Sequence, residues 1–307
     1  MNQKFRQTRI RDNLVLRAGV IDAIRSFFKS NGYLEVETPI RIPAPAPEAH
    51  IDAEPSGSWY LQTSPELCMK QLLAAGYGRI FQICKCFRSR ERGRRHLPEM
   101  TLLEWYTAEA DYDHMMNQCE ALIRSVAFER IGGLQLSYQG RNIDLSAPWQ
   151  RLTVAEAFER YGALSVAEAL EKRRFDEIMG VEIEPRLGMD RPVFLYEYPA
   201  QCGALARLKP DQPDVAERFE LYIGGLELCN GFSELNDHVE QRSRFATEMI
   251  QRREAGKASG PMPENFLDAL STMPPATGNA LGIDRLTMLL TDAGNIDEVV
   301  AFCPEEL

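Results

Sequence analysis

RIFQICKCFRSRERGRRHLPEMTLLEWYT, residues 79–107, is the stretch that decides the fold. Its opening, RIFQICKCFR, carries apolar side chains on both faces, the pattern of a buried strand. Its close, EMTLLEWYT at 99–107, alternates with period two. Met100, Leu102, Glu104 and Tyr106 share one face, and Thr101, Leu103 and Trp105 share the other. Two long antiparallel strands are therefore expected, joined by a loop with five arginines in the eight positions 88–95. In a chain of formal net charge −10, that cluster is either a solvated surface run or the seat of an anion. The segments on either side decide between these.

Upstream, Leu14, Ala18, Ile21 and Phe28 fall at near-helical spacing over 11–31, with Gly32 as a stop signal. YLEVETPI (33–40) alternates like a strand ending at Pro39, RIPAPAPEAH reads as an extended loop, and SWYLQT resumes as a strand. SPELCMKQLLAAG predicts a helix with Ser64 as N-cap, Pro65 at its first position and Gly76 past its end. Downstream, 113–180 reads as mostly helical. RFELYIGGLELCNGFSEL (218–235) gives two strands meeting at Gly224-Gly225. A charged helix over 237–256 and a helix within GPMPENFLDALSTMPPATG follow. NALGIDRLTMLLTDA ends the series as strand, Gly282 turn and amphipathic helix. With no repeat or clear boundary, the fold class expected is α+β, an antiparallel sheet flanked by helices, as a single domain over 1–307.

Composition excludes several functions. The 307 residues are 44% hydrophobic and 26% charged, and no run of ~20 apolar residues could span a membrane. The polar start MNQKFRQTRIRDN lacks the apolar core of a signal peptide. The acidic balance argues against broad binding of nucleic acid, which needs a cationic surface. Seven scattered cysteines, of which only Cys84 and Cys86 are close, fit reduced thiols in a cytoplasmic protein. Four histidines form no zinc spacing.

Arg88 would end one strand and Arg285 would open the last helix. Two guanidinium forks converging on a sheet suit a polyphosphate, and Gly282 lets backbone approach closely at a helix start, which favours anions. Glu227 and Glu234 stand seven residues apart around Asn230-Gly231 in an otherwise apolar strand. Buried carboxylates need cationic partners: Mg²⁺, a ligand ammonium, or nearby arginines in plain structural salt bridges. Glu66, Glu104 and Tyr106 extend the acidic theme. Both signs in one site point to a ligand carrying ammonium together with ATP. Cys84, Cys86 and Cys229 read as small core residues.

F-R-x(2)-E…H-x-P-E-x-T-x-L-E-W-Y at 87–106, G-x-A-L-G-x-D-R-L at 278–286 and G-Y-L-E-V-E-T-P at 32–39 resemble the three signature motifs of class II aminoacyl-tRNA synthetases. The resemblance covers about 14–303 and implies that family's catalytic domain. SPEL, FELYIGGLELCNGFSELND and ALGIDRL look like its lysyl branch, and the arginine loop looks like the motif 2 loop that wraps the ATP phosphates. By that resemblance Ser64, Pro65, Glu66, Tyr106 and Glu234 hold the amino acid. Arg88, Glu227, Leu228, Gly282 and Arg285 hold ATP, with Arg88 on the α-phosphate. Arg90 and His96 belong to the same loop, and Arg90 adds a phosphate contact. Glu227 and Glu234 match Mg²⁺-binding carboxylates, so substrate and metal roles compete at Glu234. The family's R-N-E is Arg88-Ser89-Arg90 here, with Glu91 one place late. Its H-N-P-E-F is His96-Leu97-Pro98-Glu99-Met100, so a methionine replaces the adenine-stacking phenylalanine.

A full synthetase of this type carries an N-terminal anticodon-binding barrel, and the sequence opens almost at motif 1, so a catalytic domain without that barrel is expected. It looks similar to the short lysyl paralogues that attach (R)-β-lysine to a lysine of elongation factor P. YPAQCGALARL (198–208) points the same way, as does Ala280, where lysyl-tRNA synthetases usually carry glycine. The resemblance implies adenylation of a lysine-like amino acid with Mg²⁺ and ATP, then transfer to elongation factor P. It also implies a homodimer through 14–40 and no tRNA partner. A truncated synthetase acting on RNA and a non-catalytic synthetase-like regulatory subunit are the alternatives.

Overall fold

The computed structural model describes residues 5–203 and 205–307; Met1–Lys4 and Ala204, the latter inside YPAQCGALARL, lie outside the described residues. A turn of helix, α1 (Arg6–Arg9), leads into α2 (Arg11–Ser30), which buries Val20, Ala23, Ile24 and Phe28. Gly32 turns the chain out of α2 at φ +76°, left-handed backbone that costs glycine little. The strand expected over YLEVETPI shrinks to β1 (Leu34–Glu35), because Pro39 cannot donate to a ladder and the chain leaves the sheet. A separate small sheet takes β2 (Arg41–Ile42), β3 (Pro55–Ser56) and β4 (Trp59–Leu61). α3 (Glu66–Ala74) follows. Ser64 Oγ accepts from the Glu66 amide at 3.0 Å, the capping bond that the sequence anticipates, although regular helix begins at Glu66 rather than Pro65.

β5 (Arg79–Phe87) and β6 (Glu99–Ala108) form the predicted hairpin, in register from Arg79↔Thr107 to Phe87↔Glu99. α4 (Tyr112–Ile131) is capped by Asp111 and stopped by Gly132. Beyond it the helical expectation for 113–180 fails in part. β7 (Gln135–Tyr138), β8 (Arg141–Asp144) and β9 (Gln150–Thr153) intervene before α5 (Val154–Tyr161), α6 (Val166–Glu171) and α7 (Phe175–Ile178). Each of the three strands is four residues long, too short for periodicity to register.

The chain continues through β10 (Val193–Pro199), β11 (Leu208–Lys209), β12 (Gln212–Ile223), β13 (Leu226–Ser233), α8 (His238–Glu254) and α9 (Glu264–Leu270). It closes with β14 (Ala276–Gly282) and α10 (Ile283–Leu290). The main sheet runs β1-β5-β6-β14-β13-β12-β10-β9, with β11 on β12. Only β1/β5 and β9/β10 pair in parallel, so the sheet is dominantly antiparallel and the fold is α+β. Phe81, Leu103, Trp105, Phe219, Leu221 and Leu281 pack with α2 and α4 to form the main core. That burial leaves the opposite face of the central strands for chemistry.

Candidate active site

Residues directly opposite in an antiparallel ladder project from one face. The register therefore lays Gln82, Glu104, Ala280, Asn230 and Glu220 in a row across five strands. A neighbouring row holds Ile80, Tyr106, Gly278, Phe232 and Arg218. This places the Ala280 methyl on the floor between Glu104 and Asn230.

One end of the floor is acidic. Glu104 is 1% exposed and accepts from Ser64 Oγ at 2.6 Å and Tyr106 OH at 3.1 Å. Burial, with Glu66 nearby, pushes its carboxyl up to about 8 despite those donors. Glu234 is 1% exposed, and burial lifts it too to about 8 against the pull of a lysine. That lysine is Lys70, which the sequence reading missed. Its Nζ lies 2.5 Å from Glu66 Oε1 and 2.5 Å from Glu234 Oε2. Burial alone would lower the Lys70 pKa, but the charges of Glu234 and Glu66 outweigh it and hold the ammonium protonated. Gly278 is required here: a Cβ would overlap both Glu234 Oε1 and the Tyr106 ring. The signal for Lys70 was its i+4 spacing from Glu66 on a helix that otherwise buries Leu67, Met69 and Leu73. Pro65, also buried, fixes the chain entering that helix.

The other end is cationic. Arg285, in the first turn of α10, donates to the Glu227 carbonyl at 2.8 Å and to Glu227 Oε2 at 3.1 Å. It also donates to the Arg95 carbonyl at 3.2 Å and to His96 Nε2 at 2.6 Å. Desolvation and then the Arg285 charge hold the His96 imidazole below its ordinary pKa, which suits an Nε2 that accepts. Burial would raise Glu227, but Arg285, Arg88 and Arg218 together keep it below the usual carboxylate value. Arg88 follows β5, and its Nε is buried without a hydrogen-bond partner among the described residues. A Cβ at Gly282 would meet Arg285 side-chain atoms only at 3.8 Å or more, so glycine there leaves room above the guanidinium. Leu228 is buried beneath, and Met100 is half-buried.

The arginine cluster divides. Arg92 pairs with Asp297 and Glu305, each at 2.9 Å, Arg94 donates to the Gly294 carbonyl, and Arg95 donates to the Gly225 carbonyl at 2.9 Å. Those three fasten the loop to the C-terminal segment that follows α10 and to the β12–β13 turn, which corrects the picture of the whole cluster as a phosphate cradle. Arg88 remains at the floor, and Arg90 is exposed in left-handed backbone (φ 67°). A cavity of about 440 Å³ opens beside the loop, lined by Arg94, Arg95, His96, Tyr138, Arg141 and others, none acidic.

The sequence pairs Glu227 with Glu234 as metal ligands, but they stand at opposite ends of β13, roughly 20 Å of strand apart. Glu234 is engaged by Lys70 at the acidic end. The carboxylates near Glu227 are Glu220, two residues before Tyr222, the register partner of Glu227, and Glu184, which burial and the charges of Glu220 and Glu227 push up to about 7. Glu220 accepts from Tyr198 and Tyr222, both at 2.6 Å, and from Arg218 at 2.6 Å. Among the described residues no group of three or more His, Cys, Asp or Glu is arranged for a metal. A carboxylate pair fits Mg²⁺ that takes its other ligands from water and phosphate.

Over residues 2–306 the chain matches the family of class II tRNA synthetases (D, K and N). It is 38% identical over 321 residues to the lysine–tRNA ligase of Moorella thermoacetica, covering 95% of this chain and 65% of that protein. It thus spans less than two thirds of that relative's length. It is 40% identical to the elongation factor P–(R)-beta-lysine ligases of Erwinia tasmaniensis and Edwardsiella ictaluri, over 309 residues and 94% of each chain.

Proposed function

The chain belongs to the class II tRNA synthetases of the D, K and N group, and from that premise we propose that it is an ATP-dependent ligase for a lysine-like amino acid. Its acceptor in this reading is a lysine of elongation factor P. The observation that carries the proposal is the charge of the acidic end. Glu66, Glu104 and Glu234 lie at that end with one ammonium, Lys70, which pairs with Glu66 and Glu234 and makes no ion pair with Glu104, so the end can take further positive charge as its raised carboxyls ionise. Lysine and β-lysine each bring two ammonium groups. Burial raises the Glu104 pKa, and an ammonium beside it would draw the proton off.

A substrate carboxylate oxygen attacks the α-phosphorus of ATP, forming an acyl-adenylate and releasing pyrophosphate. The ε-amine of the acceptor lysine then attacks the acyl carbon, forming an amide and releasing AMP. No nucleophilic side chain is needed; alignment and charge are. In this reading Arg88, just past β5, would bridge the carboxylate and the α-phosphate, and Arg285, beside His96, would take the distal phosphates. Glu227, with Glu220 behind it, would hold Mg²⁺, whose charge would neutralise phosphate oxygens.

The near-full-length similarity to elongation factor P–(R)-beta-lysine ligases supports the protein acceptor. We carry cytoplasmic location, a homodimer and a single catalytic domain as parts of the same reading. All seven cysteines are free thiols, and no helix of the described residues is long and apolar enough to cross a membrane. ATP–pyrophosphate exchange with a panel of amino acids, with and without purified elongation factor P, is the test. Exchange with α- or β-lysine and label transfer to the factor are expected. Background exchange with both isomers would sink the enzyme reading, and efficient charging of tRNA instead would favour a synthetase acting on RNA.

A further inference from the structure

Lys70 is fully enclosed, its side chain 0% exposed. A buried lysine is expensive to desolvate and is kept only with partners that need its charge. Its environment is specific: ion pairs to Glu66 and Glu234 at 2.5 Å each, with the Phe232 and Phe266 rings at 5.1 and 5.9 Å. It takes one oxygen from each carboxylate. Both oxygens of Glu234 are buried without a hydrogen-bond partner among the described residues; Oε2 has the Lys70 ion pair, whereas Oε1 lies over Gly278 and Tyr106 in the floor rows with no cation paired to it. A buried carboxylate oxygen without a donor is costly unless a ligand supplies one.

We infer that Lys70 is a positioning residue: it clamps Glu66 Oε1 and Glu234 Oε2 so that Glu234 Oε1 is presented to a substrate ammonium. The inference rests on the proposed adenylation of a lysine-like amino acid. Without the clamp the two carboxylates repel each other, and Glu234 is free to turn from the floor. The loss should therefore fall on the affinity for the amine and spare the phosphate end, where Arg88 and Arg285 make no contact with Lys70.

The test is pyrophosphate exchange by the full chain, with wild type, Lys70→Met and Lys70→Arg, titrating amino acid and ATP separately. Unfolding midpoints are measured on the same samples. In Lys70→Met the KM for the amino acid should rise about tenfold or more, as for loss of one pKa unit's worth of interaction, with the KM for ATP within about twofold. Lys70→Arg keeps the charge with an altered fork and should recover part of that loss. If Lys70→Met does not fold, the same selective KM rise in Lys70→Arg supports the clamp. Equal changes in both KM values, no change in either, or failure of both variants to fold would overturn it in favour of a purely structural lysine. Absence of exchange by the wild type would instead defeat the proposed ligase activity.

Discussion

At the scale of single residues the site separates groups that bind from groups that brace. Arg285 does both, through Glu227, His96 and the Arg95 carbonyl. Removing one preorganised donor to developing charge costs ~3–4 kcal/mol, about two to three orders of magnitude in rate. Arg285→Ala should lose that much adenylation together with some stability, since its braces go with it, and Arg88→Ala should lose the same activity with an unfolding midpoint near wild type; normal exchange in either would remove that arginine from the site. Ala280 lies between Glu104 and Asn230 in the floor row, where, in the proposed reading, its methyl would crowd an α-amino group more than a β-amino group. A methyl in a pocket is worth ~1–3 kcal/mol, about 10- to 200-fold in discrimination. Ala280→Gly should raise kcat/KM for α-lysine by that order and change β-lysine far less, and an unchanged ratio would show that selectivity lies elsewhere. Arg88, Arg285 and Ala280 could all be named from the sequence because motif spacing survives in it. Lys70 could not, since one lysine in an apolar helix looks like a surface residue until the fold brings Glu234 beside it. The distance between Glu227 and Glu234 was equally hidden: seven residues apart says nothing of ends until one continuous strand, β13, is seen to run between them.

At the scale of elements the hairpins carry the arrangement. β5–β6 was readable from alternation and β12–β13 from Gly224-Gly225, whose φ values of +61° and +71° suit the turn that right-handed strand twist prefers. Strands β7 to β9 were not readable, being short and polar, and β1 was over-read because alternation alone cannot show where a proline takes the chain off the sheet. The Gly224 turn also serves the site, since the next residue's carbonyl anchors Arg95. Gly224→Ala would force a side chain into left-handed backbone, costing ~1–2 kcal/mol, and would set a Cβ 2.8 Å from Tyr138 Cδ1. Denaturant titration should show at least that loss, and wild-type stability would mean the turn relaxes freely.

At the scale of the whole molecule, burial of acid makes stability depend on pH. Glu104 is raised from an ordinary 4.5 to about 8 by burial first and Glu66 second. Such a carboxyl holds its proton longer folded than unfolded, so its contribution is full below about 4.5 and is lost as pH rises to about 8. The stability of wild type should therefore fall relative to Glu104→Gln between those limits by roughly 1 kcal/mol or more; parallel curves would show an ordinary carboxylate. The remaining question at this scale is association. β1 is the edge of the main sheet, two residues long, and it exposes Leu34 at 51%. Val15 on α2 is 64% exposed and Ile40 is 43% exposed. Three large apolar side chains exposed within 14–40 cost solvation that a partner copy would recover, and a two-residue edge leaves backbone groups beyond it to be covered. A stable homodimer would need to bury about 1,200–2,000 Å² in total. Light scattering should then give twice the chain mass at micromolar concentration, and Val15→Glu with Leu34→Glu should yield a folded monomer. A monomeric wild type at that concentration would reject the dimer and leave these side chains for another partner.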